Sequence, residues 1–164
     1  MSASSHKSRK TKPRPTASYA LVLRLPSRRK ILVGKLGMVE FPRGHYIYFG
    51  SALGGLKARV DRHLGREKKL HWHADYLSAE VPWEYAWQLA DGQRWECVWA
   101  AAAAALATAS AINGVASPVL GFGSSDCRCP SHLARVNNAK QARELLRSLC
   151  PAPRRMRVSR LAAS

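Results

Sequence analysis

Acidic residues are scarce in this sequence. Its 164 residues include 10 Asp and Glu against 27 Lys and Arg, a formal net charge of +17 at pH 7. A surplus of that size points to a polyanionic partner, nucleic acid above all. Long hydrophobic runs are lacking too. The most apolar stretch, residues 99–112, is mostly alanine and falls short of the roughly 20 residues that span a bilayer. The first residues are polar and basic, without the apolar core of a secretory signal. The expectation is therefore a cytoplasmic protein with no membrane association, compatible with a place on the nucleoid. Cysteine is sparse, with four residues: Cys97, Cys127, Cys129 and Cys150. In a chain that is not exported these are free thiols or metal ligands rather than disulfides.

What the sequence does contain is one domain's worth of ordinary apolar residues, 46% of the total, flanked by basic ends. Residues 1–16 carry Lys7, Arg9, Lys10, Lys12 and Arg14 with no acid, and residues 151–164 carry Arg154, Arg155, Arg157 and Arg160 with no acid. Both segments bury too little apolar surface to order themselves, so 1–16 reads as a disordered basic arm and 151–164 as a basic tail. Removing those nine cations leaves 18 against all 10 acids in residues 17–150, so the body is itself +8.

Within the body, Ser18–Leu25, Ile31–Val33 and His45–Gly50 read as strands by their β-branched and aromatic content. They suggest a small three-stranded antiparallel sheet, with residues 37–44 as a loop. Leu56–Leu64 reads as a helix, with Leu56, Val60 and Leu64 four apart on one face and Arg59, Arg62 and Arg66 on an adjacent one. Further helices are expected over His71–Leu77, Glu96–Ala109 and Ala139–Leu149, and Gly121–His132 reads as a compact Gly-, Ser- and Cys-rich loop. The fold class is α/β in the broad sense, an α+β sheet flanked by helices.

Four groups of residues carry candidate chemistry. In Tyr48-Phe49-Gly50-Ser51 an aromatic strand ends at a glycine turn, and a following helix offers backbone N–H groups to an anion. A buried aromatic strand with an ordinary turn would read the same way. The helix bearing Arg59, Arg62, His63 and Arg66 continues into Lys68 and Lys69, and an arginine beside an apolar stripe is placed to meet phosphate bidentately. A solvated basic face is the alternative, and it suits Lys68 and Lys69 best, with non-specific phosphate contact. Glu96, one of few acids, opens a long apolar helix, where it is a candidate Mg²⁺ ligand or a charge favourable to the helix dipole. Cys127, Cys129 and His132, with Cys97 elsewhere, have the ligand types of a Zn²⁺ site, though Cys-x-Cys is not the usual Cys-x-x-Cys spacing. His71 and His73 read as substrate-side or structural residues.

Five segments carry a family resemblance: Gly44-His45-Tyr46-Ile47-Tyr48-Phe49-Gly50-Ser51-Ala52, Gly55–Leu64, His71-Trp72-His73-Ala74-Asp75-Tyr76-Leu77, Glu96-Cys97, and Gly121–Cys129. In this order the chain, from about Ser18 to His132, resembles the GIY-YIG nuclease superfamily. It is most like a branch of short stand-alone domains also found fused to endonuclease III-type proteins. The resemblance implies a three-stranded antiparallel sheet flanked by helices and phosphodiester cleavage with one divalent metal, Mg²⁺ or Mn²⁺. It matches Tyr19 to the tyrosine of the first signature strand and Tyr48 and Gly50 to the second. It matches Arg59 to the helix arginine, Glu96 to the metal-binding glutamate, and His63 to a position held by histidine or tyrosine. Arg62, Arg66, Lys68, Lys69, His71 and His73 are then the candidate nucleic-acid contacts. The first signature here reads Ala17-Ser18-Tyr19 and the second Tyr48-Phe49-Gly50, with a long insert between them. Three functions are carried forward: a divalent-metal-dependent endonuclease-like domain acting on DNA or RNA, a non-catalytic nucleic-acid-binding module with the same fold, and a zinc-stabilised interaction protein.

Overall fold

The structure is a computed structural model that describes residues 15–65, 67–109 and 119–157. Arg66, the arm over residues 1–14 and the tail over 158–164 lie outside the described residues.

The first strand, β1 (Ala17–Leu25), sends Tyr19, Leu21, Leu23 and Leu25 to one face of a sheet and Ala20 and Val22 to the other, and both faces are buried. A strand covered on both sides reads as a continuous apolar run, and this one does. It therefore sits at the centre. Two short strands, β2 (Arg29–Leu32) and β3 (Met38–Phe41), pair only with each other, linked by a 3₁₀ turn at Gly34–Leu36. The next strand, β4 (Gly44–Ala52), runs antiparallel to β1 with Gly50 opposite Tyr19.

Two helices follow, α1 (Leu56–Leu64) and α2 (His73–Glu80), and they cover the tyrosine face through Val60, Ala74 and Leu77. A fifth strand, β5 (Trp83–Leu89), pairs with the other edge of β1. A bulge opposite Val22 and Leu23 turns Trp83 onto the tyrosine face, while Tyr85 and Trp87 pack on the opposite one. The opposite face is covered by α3 (Glu96–Thr108) and, after β6 (Leu133–Val136), by α4 (Ala139–Ser148), through Trp99, Ala100, Ala103, Leu145 and Leu146. The alanines of α3 allow that close approach. The last strand, β7 (Arg154–Met156), closes the sheet order β6-β4-β1-β5-β7.

The α+β class and the flanking helices agree with the sequence. The strand count does not, because the main sheet has five strands. Ile31 belongs to a separate hairpin, whose second strand lies in the segment read as a loop. The reading of 151–164 as a tail is corrected over Arg154–Met156. Two exposed arginines there look unstructured in isolation, but main-chain pairing with Ala86, Trp87 and Gln88 holds them, and Arg155 lies 5.4 Å above the Tyr85 ring.

Two glycines are needed for close approaches. A Cβ at Gly50 would lie 2.5 Å from the Tyr19 ring, so the missing side chain is what makes room for the tyrosine. Gly123, at φ +72°, plays a similar part for Tyr48, since a Cβ there would meet that ring at 2.8 Å.

Candidate active site and metal centre

A cleft of about 770 Å³ opens where the tyrosine face meets the first turn of α3. Tyr19 from β1, Tyr48 and Ser51 from β4, Arg59 from α1 and Glu96 from α3 all line it. Its walls add Lys35, Arg94, His71, Trp72, His73, Tyr76, Asp126 and His132. Seven residues named from sequence (Tyr19, Tyr48, Arg59, His71, His73, Glu96 and His132) thus share one cavity. Glu96 is 3% exposed, Tyr19 2% and Tyr48 8%, so they form a recessed floor.

Each floor residue is held. The Glu96 carboxylate accepts from Ser51 Oγ at Oε2 and from Arg94 at Oε1, at 2.9 Å from Nε and 2.6 Å from Nη2. Burial alone would raise its pKa, but those bonds lower it, so Glu96 is ionised at neutral pH. Ser18 Oγ accepts the Trp95 amide at 2.7 Å and so ties β1 to the start of α3. Tyr19 is raised well above the usual phenol range by burial first and by Tyr48 second, while Arg59 opposes the shift. Tyr48 is raised for the same main reason. Arg59 lies over the Trp72 ring, 4.3 Å from its centroid.

Behind the floor runs a buried polar chain. Tyr19 Oη lies 2.9 Å from His63 Nε2, and His63 Nδ1 faces Asp75 Oδ1 at 3.7 Å. Asp75 is fully buried and accepts from both Nη atoms of Arg62 and from the amides of His71 and Trp72, all at 3.0 Å. Burial would raise its pKa, but the His63 ring that it faces, the bonds from Arg62 and the two amides more than offset this and hold it well below the usual carboxylate range.

Two candidate nucleic-acid contacts are corrected by this network. Arg62 is folded back onto Asp75 and the Lys69 carbonyl, and it stacks on Trp72 at 3.9 Å. The Lys68 ammonium is buried against the His63 carbonyl and Ser78 Oγ. Helical spacing puts these cations on one solvated face because it takes no account of a buried acid thirteen residues beyond Arg62. Lys69 and His71 are exposed, and His73 Nδ1 accepts the Gly123 amide at 2.9 Å. His63 is 1% exposed and meets the cleft from behind, through Tyr19, Tyr48 and Trp72.

Sequence reasoning missed Asp75, Arg94 and Trp72. Asp75 had a readable signal, since an acid at the third residue of a helix commonly accepts the amide before it, as Asp75 does from Trp72.

The four expected metal-ligand residues converge. The Sγ atoms of Cys97, Cys127 and Cys129 and a ring nitrogen of His132 all lie within 4.8 Å of one another. His132 Nε2 is 3.6 Å from Cys97 and 3.4 Å from Cys127. Burial and the neighbouring Cys129 and Cys127 thiols push Cys97 up to about 12, a repulsion among thiolates that a bound cation would reverse. Burial first lowers His132, leaving its imidazole neutral and able to ligate. This Cys₃His cluster could hold a metal ion such as zinc. Cys150 is exposed and stands apart.

A family model described as "Domain of unknown function DUF123" matches residues 18–154. The chain belongs to this family. The match runs from the second residue of β1 to the first of β7, so the cleft and the Cys₃His cluster both fall inside the DUF123 domain. No curated protein and no solved structure matches the chain significantly. No helix among the described residues is long and apolar enough to cross a membrane.

Proposed function

We propose that this DUF123 domain is a metal-dependent endonuclease-like domain that cleaves phosphodiester bonds in nucleic acid, DNA first. The observation that carries the reading is the convergence of Tyr19, Tyr48, Arg59 and Glu96, from four separate elements, in one recess walled by cations. The GIY-YIG resemblance names the same four positions, and the net charge of +17 supplies attraction for a polyanion.

The cleft fits a divalent ion. Glu96 is ionised, faces the recess, and loses only Ser51 and the half-exposed Arg94 side chain on taking a cation. One carboxylate with waters and phosphate oxygens is a common setting for Mg²⁺. When bound, the ion would supply Lewis acidity to the phosphate. Arg59, steadied by Trp72, neutralises charge growing on the phosphate. Tyr19 and Tyr48 orient the attacking water, and His63 Nε2, 2.9 Å from Tyr19 Oη, holds that hydroxyl in place by a hydrogen bond.

We further propose that Cys97, Cys127, Cys129 and His132 bind zinc as a closed structural centre. It would tie the start of α3, which carries Glu96, to the loop that carries Asp126. A binding module without catalysis is the second reading. It is favoured by one observation, that both Glu96 oxygens are already engaged by protein donors.

The deciding experiment incubates purified protein with labelled single-stranded, duplex and branched substrates in Mg²⁺ or Mn²⁺. Products that form with the parent and vanish with Glu96→Gln support the nuclease. Binding without products from any substrate supports the module instead. Elemental analysis of the same preparation reads the zinc.

A further inference from the structure

The rim of the cleft is unlike its floor. Leu53, in the turn after β4, is 61% exposed, and Leu70, between α1 and α2, is 42% exposed; both line the recess. The half-buried Trp72 stands beside them with Arg59 over its ring. Solvated leucines singly are commonplace, but two at the mouth of a recess lined by Lys35, Arg59 and Arg94 pair apolar surface with phosphate-seeking charge.

Resting on the reading above, we propose that the substrate is a nucleic-acid strand unpaired at the cleft, single-stranded or flapped, with a splayed base against Leu53 and Leu70. Two independent features lead there. The first is depth. Tyr19 and Glu96 lie on a recessed floor, 2% and 3% exposed. Because Tyr19 and Glu96 are almost fully buried, a phosphate must leave the convex duplex surface to reach them. The second is chemistry. Paired bases hide their apolar faces in the stack, whereas an unpaired base exposes one for Leu53 or Leu70 to cover. Lys35 and Arg94 take the flanking phosphates.

The test measures binding of the full-length protein by fluorescence anisotropy, at fixed salt and without added divalent ion. The probes are a labelled single strand, the same strand with a paired stem and flap, and the blunt duplex. Burying one base face against the two leucines predicts that the two unpaired probes bind on the order of tenfold more tightly than the duplex. The Leu53→Ser/Leu70→Ser protein should lose that ratio and keep its duplex affinity. Both side chains are exposed, so an unchanged circular dichroism spectrum is expected. A duplex that binds as well as the single strand, or a double variant that keeps the preference, overturns the inference and leaves the nuclease reading standing. Failure to bind any of the three probes overturns both.

Discussion

Arg62 closes two nitrogens on the buried carboxylate of Asp75, each at 3.0 Å, and turns a cation expected on the nucleic-acid face into a structural tie between α1 and α2. Arg62→Ala leaves the buried Asp75 carboxylate with two amides and the nearby Lys68 ammonium, and should destabilise the fold by about 1–3 kcal/mol. Lys69→Ala, at an exposed position, should stay within about 0.5 kcal/mol. Urea unfolding of the three proteins reads the difference.

Acid should weaken the fold in two stages. Burial lowers the pKa of His45, His63 and His73 in the folded state, so the unfolded chain binds more protons than the native one below about pH 6.5. Their contribution is present above that pH and is lost as pH falls. Asp75, held low by its bonds, adds a second loss below about pH 4. Thermal midpoints should climb from pH 4 to pH 7, and His63→Gln should flatten the upper part of that climb.

If the Cys₃His cluster takes zinc, the metal-loaded protein should contain one equivalent. A ligand at a thousandfold its Kd adds about 4 kcal/mol. Stripping the zinc from a domain of this size should then lower the thermal midpoint by roughly 10 °C. Cys127→Ser should abolish the metal content, while Cys150→Ser, outside the cluster, should leave it intact. A Cys127→Ser protein with full zinc would refute the assignment.

Glu96→Gln and Arg59→Ala should separate two roles. The first keeps shape and removes the charge a divalent ion needs, so cleavage should vanish while nucleic-acid binding stays equal or tightens slightly. The second loses a phosphate partner, weakening binding and slowing single-turnover cleavage on the order of 10²–10³-fold. Equal cleavage by Glu96→Gln and the parent would show the metal site to be misassigned.

Basic ends should add affinity without chemistry. Deleting residues 1–14 and 158–164 removes Lys7, Arg9, Lys10, Lys12, Arg14 and Arg160 and spares β7. For every phosphate those cations neutralise in the full chain, the deletion should flatten the log–log salt dependence of binding by about 0.9. An identical slope would mean the ends do not touch nucleic acid.

Much of this arrangement is legible in the sequence. Leu56–Leu64 carries a clean helical period and is a helix over those residues. The central strand is readable because its apolar run is unbroken, and the Cys₃His cluster because three of its four ligands, Cys127, Cys129 and His132, fall within six residues of one loop. What fails is non-local. Leu133–Val136 is too short to announce itself, and β7 is held by pairing with β5 rather than by its own side chains. The alternation Trp83, Tyr85, Trp87 is a strand signal that went unread, and its bulge is invisible to any period. Arg62 and Lys68 were misplaced because helical spacing says where a side chain starts, not which buried acid it turns back to meet.

The fit of Gly50 against the Tyr19 ring also bears on how this chain can change over time. Alanine at 50 collides with the ring, so it is admissible only in a chain where position 19 has already been cut back, and a smaller residue at 19 leaves a void that position 50 could then fill. The two sites change in a fixed order: the substitution at 19 must come first, and the tyrosine can return only after position 50 is glycine again.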